Sequence, residues 1–279
     1  MLGKLIKYEF KASSRLFLLL YAALIAMSVI NLLLEPLRGM QESTSSAVGI
    51  LLNIVVALFM VSYVILILAV VFVTVVVIIM RFYRNLLGEE GYLMFTLPVK
   101  TDAQISSKLI VSTIWSILSA CAVIASLMIV LVRTGWMEEV QKILDSLNTM
   151  GINIAPWIIG MIITILISVI CQILMFYGAM AVGANLTKNR LLGSFLGYVI
   201  LYAISQVVAL VSIIIPLQTH MFENIETAGK NTLQAYDAVN LSNTIGLQIF
   251  LYVTILNLIL AAGYYFVTRY FIKNKLNLT

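Results

Sequence analysis

The residues best suited to chemistry in this chain are one histidine and two cysteines. His220 has neither a cysteine nor a second histidine near it in the sequence, so the ligand pattern of a metal site is absent. Cys121 and Cys171 lie in the middle of long apolar runs, where cysteine usually acts as a small apolar residue. We therefore expect neither a metal site at His220 nor a disulfide between the two cysteines.

The common nucleotide-binding motifs are also missing. The chain contains neither G-x-x-x-x-G-K-[ST] nor G-x-G-x-x-G, the glycine-rich patterns that hold phosphate groups. Serines and threonines are frequent in the apolar runs, but none has a histidine or aspartate beside it to act as a base. We expect no catalytic residue, no cofactor-binding residue and no enzymatic activity in this chain.

One charged stretch interrupts the apolar pattern, GEEGYLMFTLPVKTDAQISSK at residues 88–108. Its first part joins acidic, apolar and turn-forming residues: Glu89, Glu90, Gly91, Tyr92, Leu93, Met94, Phe95, Leu97 and Pro98. This pattern predicts a short amphipathic helix that ends at Pro98. Thr101 and Gln104 have the spacing of a capping box, which predicts that a second helix starts at Thr101 and continues into the next apolar run.

The amino-acid composition indicates whether the surface of the protein faces water or lipid. Of the 279 residues, 62% are hydrophobic and 10% are charged, whereas a soluble domain has about 25% charged residues. So few charges cannot cover a surface in water, and most of the surface must face lipid. The chain is therefore predicted to be an all-α integral membrane protein that contacts the lipid bilayer and no nucleic acid.

Six apolar runs are long enough to cross a membrane as helices, and none contains an ionisable Asp, Glu, Lys, Arg or His. They are residues 16–34, 47–80, 109–132, 157–182, 191–217 and 246–267. The second run would be about 51 Å long as a helix, and residues 53–80 contain neither Gly nor Pro. We predict one tilted helix there rather than two, and a single transmembrane domain over residues 1–279.

Lysines and arginines lie mostly on one side of these runs. With a cytoplasmic N-terminus, 13 of the 17 are cytoplasmic, and only Arg38, Arg133, Lys142 and Lys230 are outside. Cytoplasmic segments of membrane proteins carry such an excess of positive charge. Both termini and residues 81–108 are therefore predicted to be cytoplasmic.

The first fifteen residues, MLGKLIKYEFKASSR, have two faces at helical spacing. One face is apolar and the other basic: Leu2, Leu5, Ile6 and Phe10, and then Lys4, Lys7 and Lys11. The pattern predicts an interfacial helix that lies along the inner leaflet before the chain turns into the first span. The alternative is a basic flank without fixed structure. We expect no cleaved signal here, because the apolar run that follows is long and lacks a small-x-small site.

Two segments predicted to lie outside are long enough to hold structure. In residues 133–156 the apolar residues recur at helical spacing, and Gly151 stands where such a helix would end. These apolar residues are Trp136, Val140, Ile143, Leu144 and Leu147. Residues 218–245 mix apolar and polar residues without a clear period. Both segments are interpreted as surface helices over the outer mouth or as loops.

The polar residues inside the apolar runs are neutral. Most are expected to form helix–helix hydrogen bonds, and Gly193-x-x-x-Gly197 and Ala179-x-x-x-Gly183 predict close helix packing. Proton-driven machines generally keep ionisable residues within the membrane. If the protein transports against a gradient, we expect the energy to enter from outside the bilayer.

The order NLLGEEGYLMFTLPVKTDAQISSKLI resembles the first cytoplasmic loop of permeases of the ABC type-two exporter family. The shared features are an acidic-Gly start, an apolar helix, a TLP end and a lysine near the membrane entry. The matching positions are Glu89, Glu90, Gly91, Leu93, Thr96, Leu97, Pro98, Ile105 and Lys108. The six spans and the N-terminal amphipathic segment resemble the same family, most closely its standalone permeases of Gram-positive bacteria.

This resemblance implies the transmembrane permease of an ATP-driven exporter in a bacterial cell membrane. Residues 88–98 would be the coupling helix, seated in a groove of a separate ABC ATPase that binds ATP and magnesium. Two permeases, identical or different, would pair around the substrate path, and we expect their contact through spans one and five. The family's substrates include antimicrobial peptides, lipids, glycans and drugs, and the sequence does not choose among them.

Other interpretations of the same residues stay open. Residues 88–98 are also consistent with an amphipathic segment lying on the inner leaflet. The whole chain is also consistent with a secondary transporter or channel, since neutral Asn, Gln and Ser side chains can bind sodium. A third possibility is a membrane scaffold or sensor partner that transports nothing.

The charge distribution leads to a testable topology. In a variant without Cys121 and Cys171, Lys142→Cys or Lys230→Cys should react with an impermeant thiol reagent added to intact cells. Lys100→Cys should react only after the cells are opened, because it is predicted to be cytoplasmic. Labelling of position 100 in intact cells would contradict the predicted orientation.

Overall fold

The secondary structure is helical throughout the main described segments. The computed structural model describes residues 2–39, 47–88, 100–132, 135–149, 154–186, 190–218 and 235–274. Seven α-helices lie in these residues: α1 Leu2–Gly39, α2 Ala47–Phe82, α3 Thr101–Leu131, α4 Trp136–Thr149, α5 Ile154–Leu186, α6 Arg190–Gln218 and α7 Ala235–Asn274. A short π-helix, Tyr83–Leu87, continues α2. No strand occurs in these segments.

Six of these helices have the length and apolar composition needed to cross a membrane. The apolar stretches are Leu2–Leu34, Gly49–Leu87, Thr101–Leu131, Ile154–Leu186, Leu192–Ser212 and Gly246–Lys273. The predicted all-α architecture is confirmed in the described residues, as is the number of six helices that could cross a membrane. The prediction of one helix for the second run is also confirmed, because α2 is continuous over Ala47–Phe82.

The helix α2 forms although it is rich in Val and Ile, which favour strands in soluble proteins. In lipid the backbone N–H and C=O groups find no water, and a helix pairs them within one segment. Hydroxyl side chains follow the same rule by bonding to the preceding turn. Thr74 donates to the Val70 carbonyl at 2.7 Å, and Thr113 donates to the Leu109 carbonyl at 2.8 Å.

The N-terminal segment differs from its prediction in one respect. It is helical, but no turn separates it from the first span, because α1 runs without a break from Leu2 to Gly39. The reason is packing: Ile6 and Phe10 contact a buried cluster that contains Phe17 and Trp115. The structure therefore shows no separate element in residues 2–15, and the interfacial position of this segment stays a prediction. Of its named residues, Leu2, Lys4, Lys7 and Lys11 are exposed, and Leu5, Ile6 and Phe10 are half-buried.

The predicted helix start at Thr101 is confirmed for α3, but the cap residue differs from the predicted capping box. The helix begins at Thr101, but the Lys100 carbonyl already accepts from the amides of Ala103 at 2.9 Å and Gln104 at 3.3 Å. Lys100 therefore occupies the cap position, and Thr101 is the first helical residue. A one-residue shift of this kind depends on backbone geometry that side-chain spacing does not report.

The predicted helix in residues 133–156 is confirmed as α4, Trp136–Thr149. It starts after Gly135, whose φ of 71° lies in the left-handed region that glycine adopts freely. The predicted end at Gly151 lies outside the described residues. In residues 218–245, α7 already begins at Ala235, and 219–234 lie outside the described residues.

The chain divides into two compact units. The first contains Met1–Arg81 and Ser106–Gln141, and the second contains Phe82–Ile105 and Lys142–Thr279. A single permease domain over residues 1–279 stays a prediction.

Hydroxyl groups join the helices of the first unit. Ser119 of α3 bonds to Tyr21 of α1 at 2.7 Å and to Thr74 of α2 at 2.8 Å. Tyr63 of α2 and Ser126 of α3 form a further hydroxyl pair at 3.0 Å. These contacts confirm that neutral polar residues of the apolar runs link helices.

Small residues bring α5 and α6 together in the second unit. A Cβ added at Gly183 would overlap the backbone of Gly193 and Ser194, and one added at Gly197 would overlap the Ala179 carbonyl. The two small-residue pairs predicted to pack closely therefore pack on each other, and their backbones leave no room for a side chain.

This contact leads to a prediction about stability. Gly183→Ala should lower the free energy of unfolding by about 1–3 kcal/mol, because the added methyl group forces the helices apart. Gly263→Ala is the matched control, since nothing lies within 4 Å of a Cβ at that position. Thermal unfolding in detergent measures both variants. Equal midpoints for the two would contradict the close packing of α5 on α6.

Candidate functional site

A cluster of three charged side chains joins α1, α2 and α3 in the first unit. Arg81 Nη1 donates to Glu9 Oε2 at 2.7 Å and to the Glu9 carbonyl at 2.9 Å. Lys108 Nζ donates to Glu9 Oε1 at 2.5 Å. Each carboxylate oxygen thus has its own cation. We refer to Glu9, Arg81 and Lys108 as the Glu9 cluster.

The Glu9 cluster is largely removed from water. The exposed fraction is 3% for the Lys108 side chain and 11% for Glu9, while Arg81 retains 27%. Removing an ion from water costs several kcal/mol, and a close counter-ion with good geometry offsets that cost. Breaking such a pair leaves a buried charge without compensation. The cluster therefore constrains how the three helices pack.

The position of the Glu9 cluster along the chain is informative. Glu9 precedes the first apolar run, Arg81 directly follows the second, and Lys108 directly precedes the third. All three are at run ends predicted to lie on one side of the membrane. Arg81 and Lys108 also flank the segment that resembles a coupling loop.

Sequence reasoning missed Glu9. It counted the N-terminal segment as a basic face and an apolar face, and Glu9 belonged to neither. A signal was present, because Glu9 is the first acidic residue of the chain and the next is Glu35. A lone carboxylate among lysines, just before an apolar run, indicates a partner elsewhere in the fold.

An aromatic stack joins α1 and α3, two of the three helices that carry the Glu9 cluster. The Trp115 ring lies between Phe10, at 4.6 Å between centroids, and Phe17, at 4.4 Å. The interplanar angles are 12° and 14°, so both contacts are stacked. Phe10 and Phe17 are two turns apart on α1, and Lys108 and Trp115 are two turns apart on α3. On α3, the ion-paired Lys108 and the Trp115 ring therefore lie on one face. On α1, Glu9 and the two phenylalanines contact that face.

The second unit holds both flanks of residues 89–99. On one flank, the Phe82 ring stacks on Tyr177 of α5 at 3.9 Å between centroids, and Leu86 and Leu87 are fully buried. On the other flank, Asp102 Oδ1 accepts from Arg269 Nε of α7 at 2.7 Å.

The second flank has further support. The Tyr265 hydroxyl also donates to Asp102, at 3.4 Å, and Ile105 and Gln104 are almost completely buried. The Asp102–Arg269 pair is itself about 40% exposed on both side chains, so it contributes less to stability than the Glu9 cluster.

The residues predicted to couple to an ATPase lie outside the described residues. They are Glu89, Glu90, Gly91, Tyr92, Leu93, Met94, Phe95, Leu97 and Pro98. Their role stays a prediction. The structure describes the chain before them as far as Gly88, whose amide donates to the Tyr83 carbonyl at 2.8 Å. It describes the chain after them from Lys100.

The other candidate residues do not form a chemical centre in the described part of the chain. No group of three or more His, Cys, Asp or Glu side chains there could hold a metal ion. Cys121 is exposed and Cys171 is buried, and both are free thiols. The described geometry thus offers ion pairs and packing contacts.

The chain was also compared with known proteins. It matches no protein-family model, no curated protein and no solved structure. Any function must therefore be argued from the residues and contacts of this chain.

The Glu9 cluster leads to a prediction about stability. Glu9→Gln should lower the free energy of unfolding by about 3–5 kcal/mol, because two cations lose the carboxylate between them. Asp102→Asn is the matched control, since its ion pair is exposed and its loss should cost about 0–1 kcal/mol. Thermal unfolding in detergent measures both. A smaller loss for Glu9→Gln than for Asp102→Asn would show that the cluster does not constrain the helices.

Proposed function

We propose that this chain is the transmembrane permease of an ATP-driven exporter in a bacterial cell membrane. It forms the substrate path, and residues 88–98 contact a separate ABC ATPase. The ATPase binds ATP and magnesium, and this chain binds neither. The proposal combines the family resemblance of the segment with the way the structure holds its flanks.

The observation that carries the proposal is the anchoring of both flanks within the second unit. The Phe82 stack on Tyr177 ties one flank to α5, and the Asp102–Arg269 pair ties the other to α7. A force applied to residues 89–99 would therefore reach α5 through a buried ring stack, and α7 through an exposed ion pair beside the buried Gln104 and Ile105.

The charges of the chain support an external energy source. None of the six apolar runs contains Asp, Glu, Lys, Arg or His, and proton-coupled transporters generally need such a residue within the membrane. The ion pairs of the Glu9 cluster lie at the ends of those runs instead. An ATPase that pushes on residues 88–98 supplies the energy without a charge inside the bilayer.

Topology and assembly complete the proposal. Six spans return the chain to its starting side, and the excess of Lys and Arg makes that side cytoplasmic. Residues 88–98 then face the compartment that contains ATP. A second copy or a paralogue of this permease completes the substrate path.

The experiment targets the apolar residues of the proposed coupling helix. Leu93→Ala combined with Phe95→Ala should weaken binding of a coexpressed partner ABC ATPase. An interface anchor contributes about 2 kcal/mol or more, and that loss is about a thirty-fold weaker affinity. ATPase copurification and ATP turnover of the coexpressed complex measure the effect.

The matched control is Leu258→Ala combined with Phe266→Ala. It removes the same atoms from exposed positions of α7, so insertion and expression are tested without touching the loop. The control should retain the ATPase. Normal ATPase retention and turnover in the Leu93 and Phe95 variant, at normal expression, would contradict the proposed function.

A further inference from the structure

The helix α4, Trp136–Thr149, separates apolar and polar residues completely. Successive residues of an α-helix are rotated by about 100°, which gathers all its large apolar side chains within an arc of about 120°. They are Trp136, Met137, Val140, Ile143, Leu144 and Leu147. Every other residue of α4 is polar or charged. We refer to these six side chains as the apolar side of α4.

The described chain leaves most of the apolar side of α4 exposed, with only Val140 and Leu147 partly buried. None of its residues is buried, and Ile143 and Met137 keep 58% and 56% of their surface exposed. An apolar stripe on an otherwise strongly polar helix is unfavourable in water, because each side chain loses the free energy of burial. Something outside the described chain therefore covers it.

The neighbouring helices limit what can reach α4. It follows α3, which ends at Leu131, and precedes α5, which begins at Ile154. Four residues join it to each of them, and four extended residues reach about 14 Å. Since both neighbours are long and apolar enough to cross a membrane, both ends of α4 are held near a membrane surface. That surface is opposite to the one at Thr101, where α3 begins.

The charges of α4 indicate the kind of surface. Glu138, Glu139 and Asp145 outnumber Lys142, so the helix carries a net charge of 1 − 3 = −2. Anionic lipids would repel this helix, so its attraction to a membrane comes from apolar burial. Trp136 stands at the start of the apolar side, and tryptophan is enriched at membrane interfaces.

We infer that the apolar side of α4 lies in the boundary between headgroups and acyl chains of a zwitterionic lipid surface. A second copy of this chain is a poorer fit, because a stable protein interface uses roughly 20–30 residues on each side and the apolar side offers six. The inference holds whether or not the chain is an exporter permease. It assigns α4 to lipid rather than to the outer mouth of a substrate path.

The experiment places a fluorescent label on each side of α4 in the full-length protein. In a variant without Cys121 and Cys171, the label is attached to Met137→Cys or Ile143→Cys on the apolar side. The matched positions on the polar side are Gln141→Cys and Asp145→Cys. The protein is reconstituted in phosphatidylcholine vesicles that contain acyl-chain nitroxide lipid, or in plain vesicles with iodide on both sides of the membrane.

The two sides should respond in opposite ways. Labels at positions 137 and 143 should lose fluorescence to the nitroxide lipid and little to iodide, and labels at 141 and 145 should do the reverse. Iodide quenching at 137 and 143 would show that the apolar side lies in water and would overturn the inference. Quenching by neither agent would show that protein covers it, and would overturn the inference equally.

Replacement by cysteine should leave the fold intact, because all four positions are exposed. Two positions on each side make the outcome independent of any single variant. Elution of each labelled protein at the position of the unlabelled chain in detergent verifies the fold before reconstitution.

Discussion

A backbone amide in lipid has no water to bond with, and the rest of this structure depends on that constraint. It makes helices of segments rich in Val and Ile, and it directs polar side chains back to the preceding turn. Asn31 follows the same rule as the hydroxyls, since its Nδ2 donates to the Met27 carbonyl at 3.0 Å. Because each helix pairs its own backbone hydrogen-bonding groups, the contacts between helices come from small residues, aromatic rings and a few hydroxyl pairs.

The same constraint explains where the charges lie. An ion costs several kcal/mol to bury, so the apolar runs contain none, and the ion pairs gather at the run ends. The two ion-pair groups differ in burial. The Glu9 cluster is mostly buried and joins three helices of the first unit. The Asp102–Arg269 pair is exposed and is supported by the buried neighbours Gln104 and Ile105 in the second unit.

The exposed apolar residues of the chain require two different interpretations. Those on the six long helices belong to segments with few charged residues, and on α1 and α2 they lie opposite a face buried in the first unit, as expected for lipid-facing spans. Those on α4 are confined to one side of a charged helix, which is typical of a helix lying in an interface. The difference between these patterns distinguishes a helix in the membrane from one on it.

Local patterns in the sequence determined the class of the protein. The six spans, the unbroken α2 and the existence of α4 follow from hydropathy and helical period, because each depends on neighbouring residues and on the solvent around them. The small-residue pairs at Ala179 and Gly193 were also predictable, since close approach of helices requires a missing side chain.

The tertiary structure alone decided which distant residues meet. Glu9 pairs with residues 72 and 99 positions away, and the Trp115 ring is enclosed by two rings from α1. Phe10 also packs on that ring, and α1 continues without a break where a turn was expected. No local pattern reports these contacts, because they depend on how three helices rotate against each other. That rotation is set by the sum of many weak packing contacts, and only the folded chain brings those residues together.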